Sequence, residues 1–187
     1  TNVDQLAIIC SIFAPPFRSG LIDRFLIAAL KGNIDPFIIV NKIDLKDQNE
    51  KWSEVEAMLQ TYEKNGHCVI RTSTVSNLGL EKLKEKLLDK KTVLSGHSGV
   101  GKSSLLSAID SQLNLKVKNV GEKSRRGTHT TTNVTLYPLE FGGHVVDTPG
   151  IREFSLWEID PADLSLYYTD FADYAPMCKY HRCTHVH

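Results

Sequence analysis

The sequence contains no long apolar stretch and no excess of charge of either sign. Its longest apolar runs, LAII and PFIIV, are far shorter than the roughly 18 residues that a membrane-spanning helix needs, and no charged-then-apolar signal segment opens the chain. The 22 Lys and Arg residues balance the 22 Asp and Glu residues, so no overall positive field attracts nucleic acid. We therefore expect no membrane association, and an RNA partner would need a local patch or a part of the protein outside this sequence.

Cysteine is also scarce. The chain of 187 residues has four cysteines, which are Cys10, Cys68, Cys178 and Cys183. Two lie in strand-like apolar runs and two lie close together near the end, which is not the pattern of a disulfide framework. A chain of this length can bury a core of normal size without disulfides. We therefore expect a reducing, cytoplasmic environment.

The two ends of the sequence suggest a fragment of a longer protein. The chain begins at Thr1 without a Met, and it stops at His187 inside a run rich in Cys and His. Its length fits one domain of about 100–200 residues with a small addition. We expect a main domain over residues 1–157 and the start of a smaller helical, zinc-binding domain over residues 158–187.

Apolar periodicity predicts alternating strands and helices. The predicted strands cover residues 6–13, 37–41, 68–72, 92–95, 133–141 and 144–147, and the predicted helices cover residues 19–31, 52–64, 79–88 and 103–109. Repeated β–α units indicate an α/β fold with a mostly parallel sheet and helices on both faces. The last two strands, joined through Gly142 and Gly143, predict a hairpin that adds one antiparallel strand. Such sheets bind ligands beyond the carboxyl ends of their strands.

The loop before the helix at 103 reads GHSGVGKSS and matches the phosphate-binding pattern G-x-x-x-x-G-K-[ST]. A strand before it and a helix after it are the context that this pattern requires. Glycines let the backbone wrap a phosphate, and N–H groups at the helix N-terminus attract it. Lys102 can reach the β- and γ-phosphates, and the Ser103 hydroxyl can bind Mg²⁺. The candidate nucleotide-binding residues of this loop are Gly96, His97, Ser98, Gly99, Val100, Gly101, Lys102, Ser103 and Ser104.

A second candidate loop, Asn41, Lys42, Ile43 and Asp44, follows the strand PFIIV. A carboxylate there can accept two hydrogen bonds from guanine N1 and N2, a donor pair that adenine lacks. A buried Asp44 would be left unpaired against adenine, which can cost factors of about 10⁴–10⁵ in discrimination. Asn41 would tie this loop to the phosphate side, and the stem of Lys42 can cover a face of the base. Without the phosphate-binding loop, NKID would be an ordinary turn or helix start.

A third candidate loop follows the strand at 68–72. Backbone N–H groups of Ser73 and Thr74 could contact the O6 atom of guanine. Taken alone, these residues would suit a plain strand-to-helix cap equally well. Their position beside the other loops favours the base-binding interpretation.

The sequence DTPG, which ends the last predicted strand, is a fourth candidate. Asp147 could hold Mg²⁺ through water, and the N–H group of Gly150 could contact a γ-phosphate. Between this loop and the phosphate-binding loop lies the polar segment 116–132. One of its threonines, Thr130, Thr131 or Thr132, could complete the Mg²⁺ shell, and an ordinary surface loop is the alternative.

The order of these loops along the chain is unusual. The guanine loops at 41–44 and 72–79 precede the phosphate loops at 96–103, 128–132 and 147–150. In the usual GTPase the phosphate-binding loop comes first. Cutting a domain at one surface loop and joining the original ends preserves the packed sheet and the site. The order therefore predicts a circularly permuted GTPase.

Seven stretches together resemble the RsgA (YjeQ) family. They are NVDQ, GLIDRFL, NKIDL, GHSGVGKSSL, GTHTTT, DTPGIREF and a C-x₄-C-x-H pattern near the end. The resemblance implies a GTPase that is stimulated by the small (30S) ribosomal subunit and acts in late maturation of that subunit. It also implies GTP or GDP with Mg²⁺ as ligands, and the small subunit with its rRNA as the partner. In the family an OB-fold precedes the GTPase domain and a zinc domain follows it, and this sequence lacks the OB-fold.

Hydrolysis is the step for which this sequence departs from ordinary GTPases. Ile151 follows DTPG, where many GTPases carry a water-positioning Gln, and an aliphatic side chain cannot orient water. We therefore expect slow basal turnover. The resemblance offers His129 as a residue that positions the water, with an exposed loop histidine as the alternative. The candidate catalytic residues are Lys102, His129 and Thr131, and the candidate Mg²⁺ ligands are Ser103, Thr131 and Asp147.

The end of the sequence holds a candidate zinc site. Cys178, Cys183 and His185 supply two thiolates and an imidazole, at a spacing that suits tetrahedral zinc. In the family the fourth ligand is a Cys a few residues further on, beyond His187. A polar tail with incidental cysteines is the alternative. We expect a structural Zn²⁺ rather than a catalytic one.

Three functions remain open on the sequence. The first is a GTPase for assembly of the small ribosomal subunit, acting as a monomer. The second is a permuted GTPase for the large subunit, against which the C-x₄-C-x-H pattern argues. The third is a nucleotide-gated RNA-binding or scaffold module with negligible turnover, which needs the same binding loops.

Overall fold

The computed structural model describes residues 3–113 and 135–147, together with residues 164, 167, 168, 171 and 174–179. Strands and helices alternate through this part of the chain. The strands are β1 (Gln5–Ser11), β2 (Asp35–Asn41), β3 (Cys68–Arg71), β4 (Lys91–Ser95), β5 (Thr135–Pro138) and β6 (His144–Asp147). The α-helices are α1 (Ser19–Lys31), α2 (Trp52–Lys64), α3 (Leu80–Leu87) and α4 (Lys102–Ile109), and 3₁₀-helices cover Ile43–Gln48 and Ala175–Met177.

The six strands form one sheet in the order β3-β2-β1-β4-β6-β5. Neighbouring strands are parallel except for β5 and β6, which pair antiparallel. Parallel neighbours need a crossover connection, and α1, α2 and α3 provide it between the first four strands in turn. The prediction of a mostly parallel α/β sheet with one antiparallel strand is confirmed.

β1 and β2 are buried on both faces, which explains their continuous apolar runs. On one face, Ala7 and Ile9 of β1 belong to a core cluster with leucines of α3 and α4. On the other face, Ile8 and Cys10 belong to a cluster with residues of α1 and α2. Each fully buried Ile, Leu or Phe contributes roughly 1.5–3 kcal/mol, so helices on both faces hold β1 and β2 firmly in place.

The helices carry their apolar residues at the predicted spacing. In α3, Leu80, Leu83 and Leu87 are all buried, while the Lys and Glu residues between them face solvent or are partly covered. α1 ends at Gly32, whose N–H donates to the carbonyl of Ala28 at 3.0 Å. None of the described helices is long and apolar enough to cross a membrane.

Several element bounds differ from the predicted ones by one or more residues, and β1 and β5 both end earlier than predicted. β1 ends at Ser11 rather than at residue 13, because the Ser11 hydroxyl donates to the carbonyl of Phe13 at 2.7 Å and turns the chain. β5 ends at Pro138, which has no N–H to continue the ladder. The predicted hairpin through Gly142 and Gly143 is confirmed, and both glycines have positive φ.

Candidate nucleotide-binding site

The predicted loops meet at one edge of the sheet. β1, β2, β3, β4 and β6 run parallel, so their carboxyl ends lie at this edge. The 41–44 loop follows β2, the 72–79 loop follows β3, the 96–101 loop joins β4 to α4, and Asp147 ends β6. This is the edge at which open α/β sheets bind ligands.

Glycine is required at two points of the 96–101 loop. Gly96 has a φ of 153°, and a Cβ atom there would lie 2.2 Å from the carbonyl oxygen of Ile9. Gly101 has a φ of 98°, and its Cβ atom would lie 2.4 Å from Nδ2 of Asn41. Any side chain at either position would clash, so the backbone can form a cradle of the kind that binds phosphate.

Lys102 folds back over this loop. Its Nζ atom donates to the carbonyl oxygens of Gly96, at 2.6 Å, and of His97, at 3.1 Å. Ser103 and Ser104 follow in the first turn of α4 and are exposed. The ammonium group and the positive end of the α4 dipole therefore both lie at the loop, where a phosphate would be favoured.

Asn41 joins the 41–44 loop to the 96–101 loop. The residue is 2% exposed. Its Nδ2 atom donates to the carbonyl oxygen of Val100 at 2.9 Å, and its Oδ1 atom accepts the hydroxyl of Thr72 at 3.2 Å. Both ends of the amide are therefore used, which fixes its orientation. The tie between the base side and the phosphate side that the sequence predicts is present.

Lys42 makes a second link between the same two loops. The residue has a φ of 63°, in the left-handed region, at the point where the chain leaves β2. Its Nζ atom donates to the carbonyl oxygen of Gly99 at 2.8 Å and to that of Ala14. The stem of the side chain thus spans from the base side to the phosphate side, where it could cover a face of the base as the sequence predicts.

Asp44 is exposed, and the expectation of a buried carboxylate is wrong. It lies in the first turn of the 3₁₀-helix Ile43–Gln48, between the buried Ile43 and the partly buried Leu45. The Ser73 hydroxyl donates to its Oδ1 atom at 2.5 Å. The same hydroxyl accepts the N–H groups of Val75 and Ser76, both at 3.2 Å. Ser73 is fully buried, so an anchored hydroxyl orients a carboxylate that a ligand can still reach.

The 72–79 loop differs from the prediction in its use of backbone N–H groups. The N–H of Ser73 donates to the carbonyl of Leu78 at 3.1 Å, which closes the turn on itself. This N–H is therefore not available to the O6 atom of guanine, and Ser73 acts through its hydroxyl instead. The N–H of Thr74 remains the candidate for that contact.

Several predicted site residues lie outside the described residues. They are Gly150, Ile151, His129, Thr130, Thr131, Thr132, Cys183 and His185. Asp147 is placed by its backbone, which pairs with Leu94 of β4. Cys178 follows the last 3₁₀-helix, with its Sγ atom 3.9 Å from the carbonyl oxygen of Tyr174. Among the described residues, no group of three or more His, Cys, Asp or Glu side chains is placed to hold a metal ion, so the zinc site stays a prediction.

The structure adds the loop after β1, residues 12–18, to the site, and the sequence did not predict its role. Its Ala14 carbonyl accepts Lys42, and Pro15 lies against Gly99, where an added Cβ atom would be 3.6 Å from Cδ of the proline. The one available signal was the Pro15-Pro16 break after a buried strand. A backbone carbonyl has no signature of its own in a sequence.

A cavity of about 40 Å³ lies behind the 12–18 loop, between α1 and the 96–101 loop. This space holds little more than one or two water molecules and is too small for a nucleotide. Cys10 lines it, and burial raises the pKa of this thiol to about 12. The thiol is therefore neutral near pH 7 and is neither a nucleophile nor a metal ligand.

A comparison with protein families agrees with this geometry. The model of the family described as RsgA GTPase matches residues 1–157. The chain belongs to the RsgA GTPase family. Its sequence is 38% identical over 186 residues to the small ribosomal subunit biogenesis GTPase RsgA of Flavobacterium johnsoniae, covering 99% of this chain and 57% of the relative. It is 40% identical over 185 residues to the protein of the same name from Chlorobaculum tepidum, covering 99% of this chain and 58% of the relative.

Solved structures of RsgA-like proteins share the fold of this chain. YjeQ from Thermotoga maritima superimposes with a TM-score of 0.78 at 33% identity, over 99% of this chain and 60% of that one. YloQ, described as a circularly permuted GTPase, superimposes with a TM-score of 0.75 at 29% identity, over 99% and 57% of the two chains. The circularly permuted GTPase fold predicted from the loop order is therefore confirmed. The chain spans a little over half the length of these relatives.

Proposed function

We propose that this chain binds GTP and GDP with Mg²⁺ and hydrolyses GTP, within a factor for late maturation of the small (30S) ribosomal subunit. The observation that supports this most directly is the hydrogen bond from Asn41 to the carbonyl of Val100. It joins an NKID loop, which suits guanine, to a phosphate-binding loop 59 residues further along the chain. Either loop alone would suit an ordinary turn equally well, whereas the hydrogen bond holds the two side by side, as a nucleotide that contacts both would require.

The base side supports selectivity for guanine. Asp44 accepts Ser73 through Oδ1 and is exposed, so its carboxylate can also accept the N1 and N2 donors of guanine. Adenine offers no such pair, and a base that covered Asp44 without donating to it would leave a charged oxygen unpaired. The carboxylate of Asp44 would therefore become buried only when a base covers it, and selectivity for guanine would arise at that step.

The phosphate side supports binding of a triphosphate with a divalent cation. The Gly96 and Gly101 cradle has no room for a Cβ atom, as a loop that wraps phosphate oxygens requires. Ser103 lies in the first turn of α4, and Asp147 ends β6, which pairs with β4, so Mg²⁺ could be held by the hydroxyl and, through water, by the carboxylate. The ion would neutralise phosphate charge. Lys102 would exchange its carbonyl partners for β- and γ-phosphate oxygens, and Thr131 would complete the Mg²⁺ shell.

The hydrolytic step is proposed to depend on the partner. Ile151 cannot orient a water molecule, so turnover by the chain alone should be slow. We assign the positioning of the attacking water to His129, held in place when the small subunit binds. Positioning or general-base effects of this kind contribute roughly 10²–10⁴-fold.

The names of the relatives support the small subunit as the partner rather than the large one, and we propose that the chain contacts its rRNA. We propose a cytoplasmic, monomeric protein with a GTPase domain over residues 1–157. A smaller domain would begin at residue 158 and bind a structural Zn²⁺ through Cys178, Cys183 and His185. Metal analysis of the full protein should find about one zinc per chain, and finding none would remove this site.

Turnover assays test the proposed function. GTP hydrolysis by the full protein would be measured alone, with small subunits and with large subunits. The Lys102→Ala variant should lose stimulated turnover, because it lacks the ammonium group at the phosphates. Lys64→Ala is the matched control, because Lys64 is an exposed lysine at the C-terminal end of α2. The turnover of this variant should equal that of the wild type.

Each other outcome of the assay contradicts part of the proposal. Normal turnover by Lys102→Ala would mean that the phosphate-binding loop is wrongly assigned. GTP binding without turnover, even with small subunits, would indicate a nucleotide-gated scaffold. Stimulation by large subunits but not by small ones would indicate a GTPase for assembly of the large subunit. If His129→Ala is stimulated as strongly as the wild type, a group of the ribosomal subunit positions the water.

A further inference from the structure

The 12–18 loop lies between the two halves of the nucleotide site and holds the lysine that links them. The Nζ atom of Lys42 donates to Ala14 in this loop and, at 2.8 Å, to Gly99 in the phosphate-binding loop. Both acceptors are backbone carbonyls. The position of the Lys42 ammonium therefore depends on where the 12–18 loop places the carbonyl of Ala14.

One side chain holds the start of this loop from outside. Nδ2 of Asn49 donates to the carbonyl of Ile12 at 2.7 Å, across 37 residues of sequence. Oδ1 of the same amide accepts the backbone N–H of Lys51 at 3.0 Å. Because one end of the amide must accept and the other must donate, its orientation is fixed. Among the described residues, the only other hydrogen bond of Ile12 is longer: its N–H donates to the carbonyl of Asn41 at 3.4 Å.

Asn49 also ends the 3₁₀-helix that carries Asp44. A path of contacts therefore runs from that helix through Asn49 to Ile12, along the 12–18 loop to Ala14, and through Lys42 to Gly99. Each link is a hydrogen bond between segments that are distant in sequence. Release of one link loosens the carbonyl on which Lys42 depends.

We propose that Asn49 is a positioning residue for the nucleotide: it holds the 12–18 loop so that Ala14 and Gly99 fix the Lys42 ammonium, and it thereby slows nucleotide release. This inference rests on the proposed function of the same site. Asn49 donates to Ile12 and accepts from Lys51, so it acts through Lys42 rather than on the ligand. When the loop is loosened, the binding-competent arrangement is populated less, and the apparent affinity falls by that fraction.

Two variants separate the Ile12 bond from other effects. Asn49→Asp keeps an oxygen for the N–H of Lys51 but places an acceptor against the carbonyl of Ile12. Asn49→Leu has a similar shape, carries no charge and makes neither bond. Asn65→Asp and Asn65→Leu are matched controls, because Asn65 follows α2 at the opposite edge of the sheet.

The experiment measures dissociation of fluorescent mant-GDP from the full chain, below the melting transition of every variant. Both Asn49 variants lose the hydrogen bond to Ile12, and both should release mant-GDP about three- to tenfold faster than the wild type, the factor expected for that bond. The Asn65 variants should match the wild type. The ratio of affinities for GDP and IDP, which lacks the 2-amino group, should be unchanged, because Asp44 keeps its contacts.

A double-mutant cycle with Lys42→Met shows whether Asn49 acts through Lys42. In that background the Asn49 variants should change mant-GDP release by less than about twofold, and equilibrium titration supplies the same cycle if release is too fast to follow. Unchanged release in the single variants, or a full effect in the Lys42→Met background, would overturn the inference. Wild-type protein that does not bind mant-GDP would overturn the proposed function instead.

Discussion

The base side and the phosphate side of the site are built by different means. On the base side, side chains hold one another: Ser73 orients Asp44, and Thr72 orients Asn41. On the phosphate side, the backbone forms the structure, with glycines at 96 and 101 and a single lysine folded over them. The base side is thus pre-organised without ligand, whereas under the proposed function Lys102 would exchange protein carbonyls for phosphate oxygens.

The largest expected effect comes from breaking the contact between the two sides. In Gly101→Ala the Cβ atom would lie 2.4 Å from Nδ2 of Asn41, so the bond from Asn41 to Val100 cannot persist. We expect GDP affinity to fall by about 10²-fold or more, since a buried amide loses its partner and the cradle moves. Isothermal titration with GDP measures this.

Gly66→Ala is the control for that substitution. Gly66 also has positive φ, at 86°, but nothing lies within 4 Å of an added Cβ atom. Its cost in stability is the backbone strain alone, and GDP affinity should stay at the wild-type value. Equal losses of affinity in the two variants would show that strain, and not the clash with Asn41, is responsible.

A second prediction addresses the base side alone. Asp44→Asn replaces an accepting oxygen by a donating NH₂ group, so GTP should bind about 10–10²-fold more weakly. Xanthine nucleotides, which present an oxygen in place of the 2-amino group, should be favoured relative to the wild type. Competition titrations with GTP and XTP measure the preference, and unchanged GTP affinity would remove Asp44 from the base site.

The smallest expected effect concerns the outer support of the base side. Arg71, which ends β3 just before the 72–79 loop, pairs with Glu56 and Glu63 of α2, both at 2.7 Å. Its hydrogen bond lowers the pKa of Glu63 below the usual 4.5. The contribution to stability is therefore present above about pH 4.5 and is lost as the pH falls through the lowered pKa.

Arg71→Gln should accordingly reduce the free energy of unfolding by about 0.5–1 kcal/mol at pH 7. The difference from the wild type should shrink at acidic pH, as the pH falls through the lowered pKa of Glu63. Urea unfolding at the two pH values measures it. Lys84→Gln breaks a pair with the largely exposed Glu81 and should reduce the free energy of unfolding by less. Equal reductions in the two variants would mean that the Arg71 pairs are no stronger than a surface pair.

The sequence predicted the two sides of the site unequally well. The glycines, Lys102 and Asn41 belong to contiguous motifs whose residue types carry their roles, and the structure places all of them at one sheet edge. The exposure of Asp44 and the internal use of the Ser73 N–H could not be predicted, because both depend on how short turns close. The 12–18 loop was missed because it acts through carbonyl groups, and its link to Asn49 spans 37 residues.

The strand order β3-β2-β1-β4 also bears on how the chain is made. Within this part of the protein, β1, α1, β2, α2 and β3 are synthesised before the remaining elements and form a contiguous half-sheet. α1 and α2 cover one face of this half-sheet, but α3 and α4, which cover the other face, are translated later. The nascent chain therefore carries the 41–44 loop beside an uncovered apolar surface, until α3 and α4 leave the exit tunnel and cover that surface.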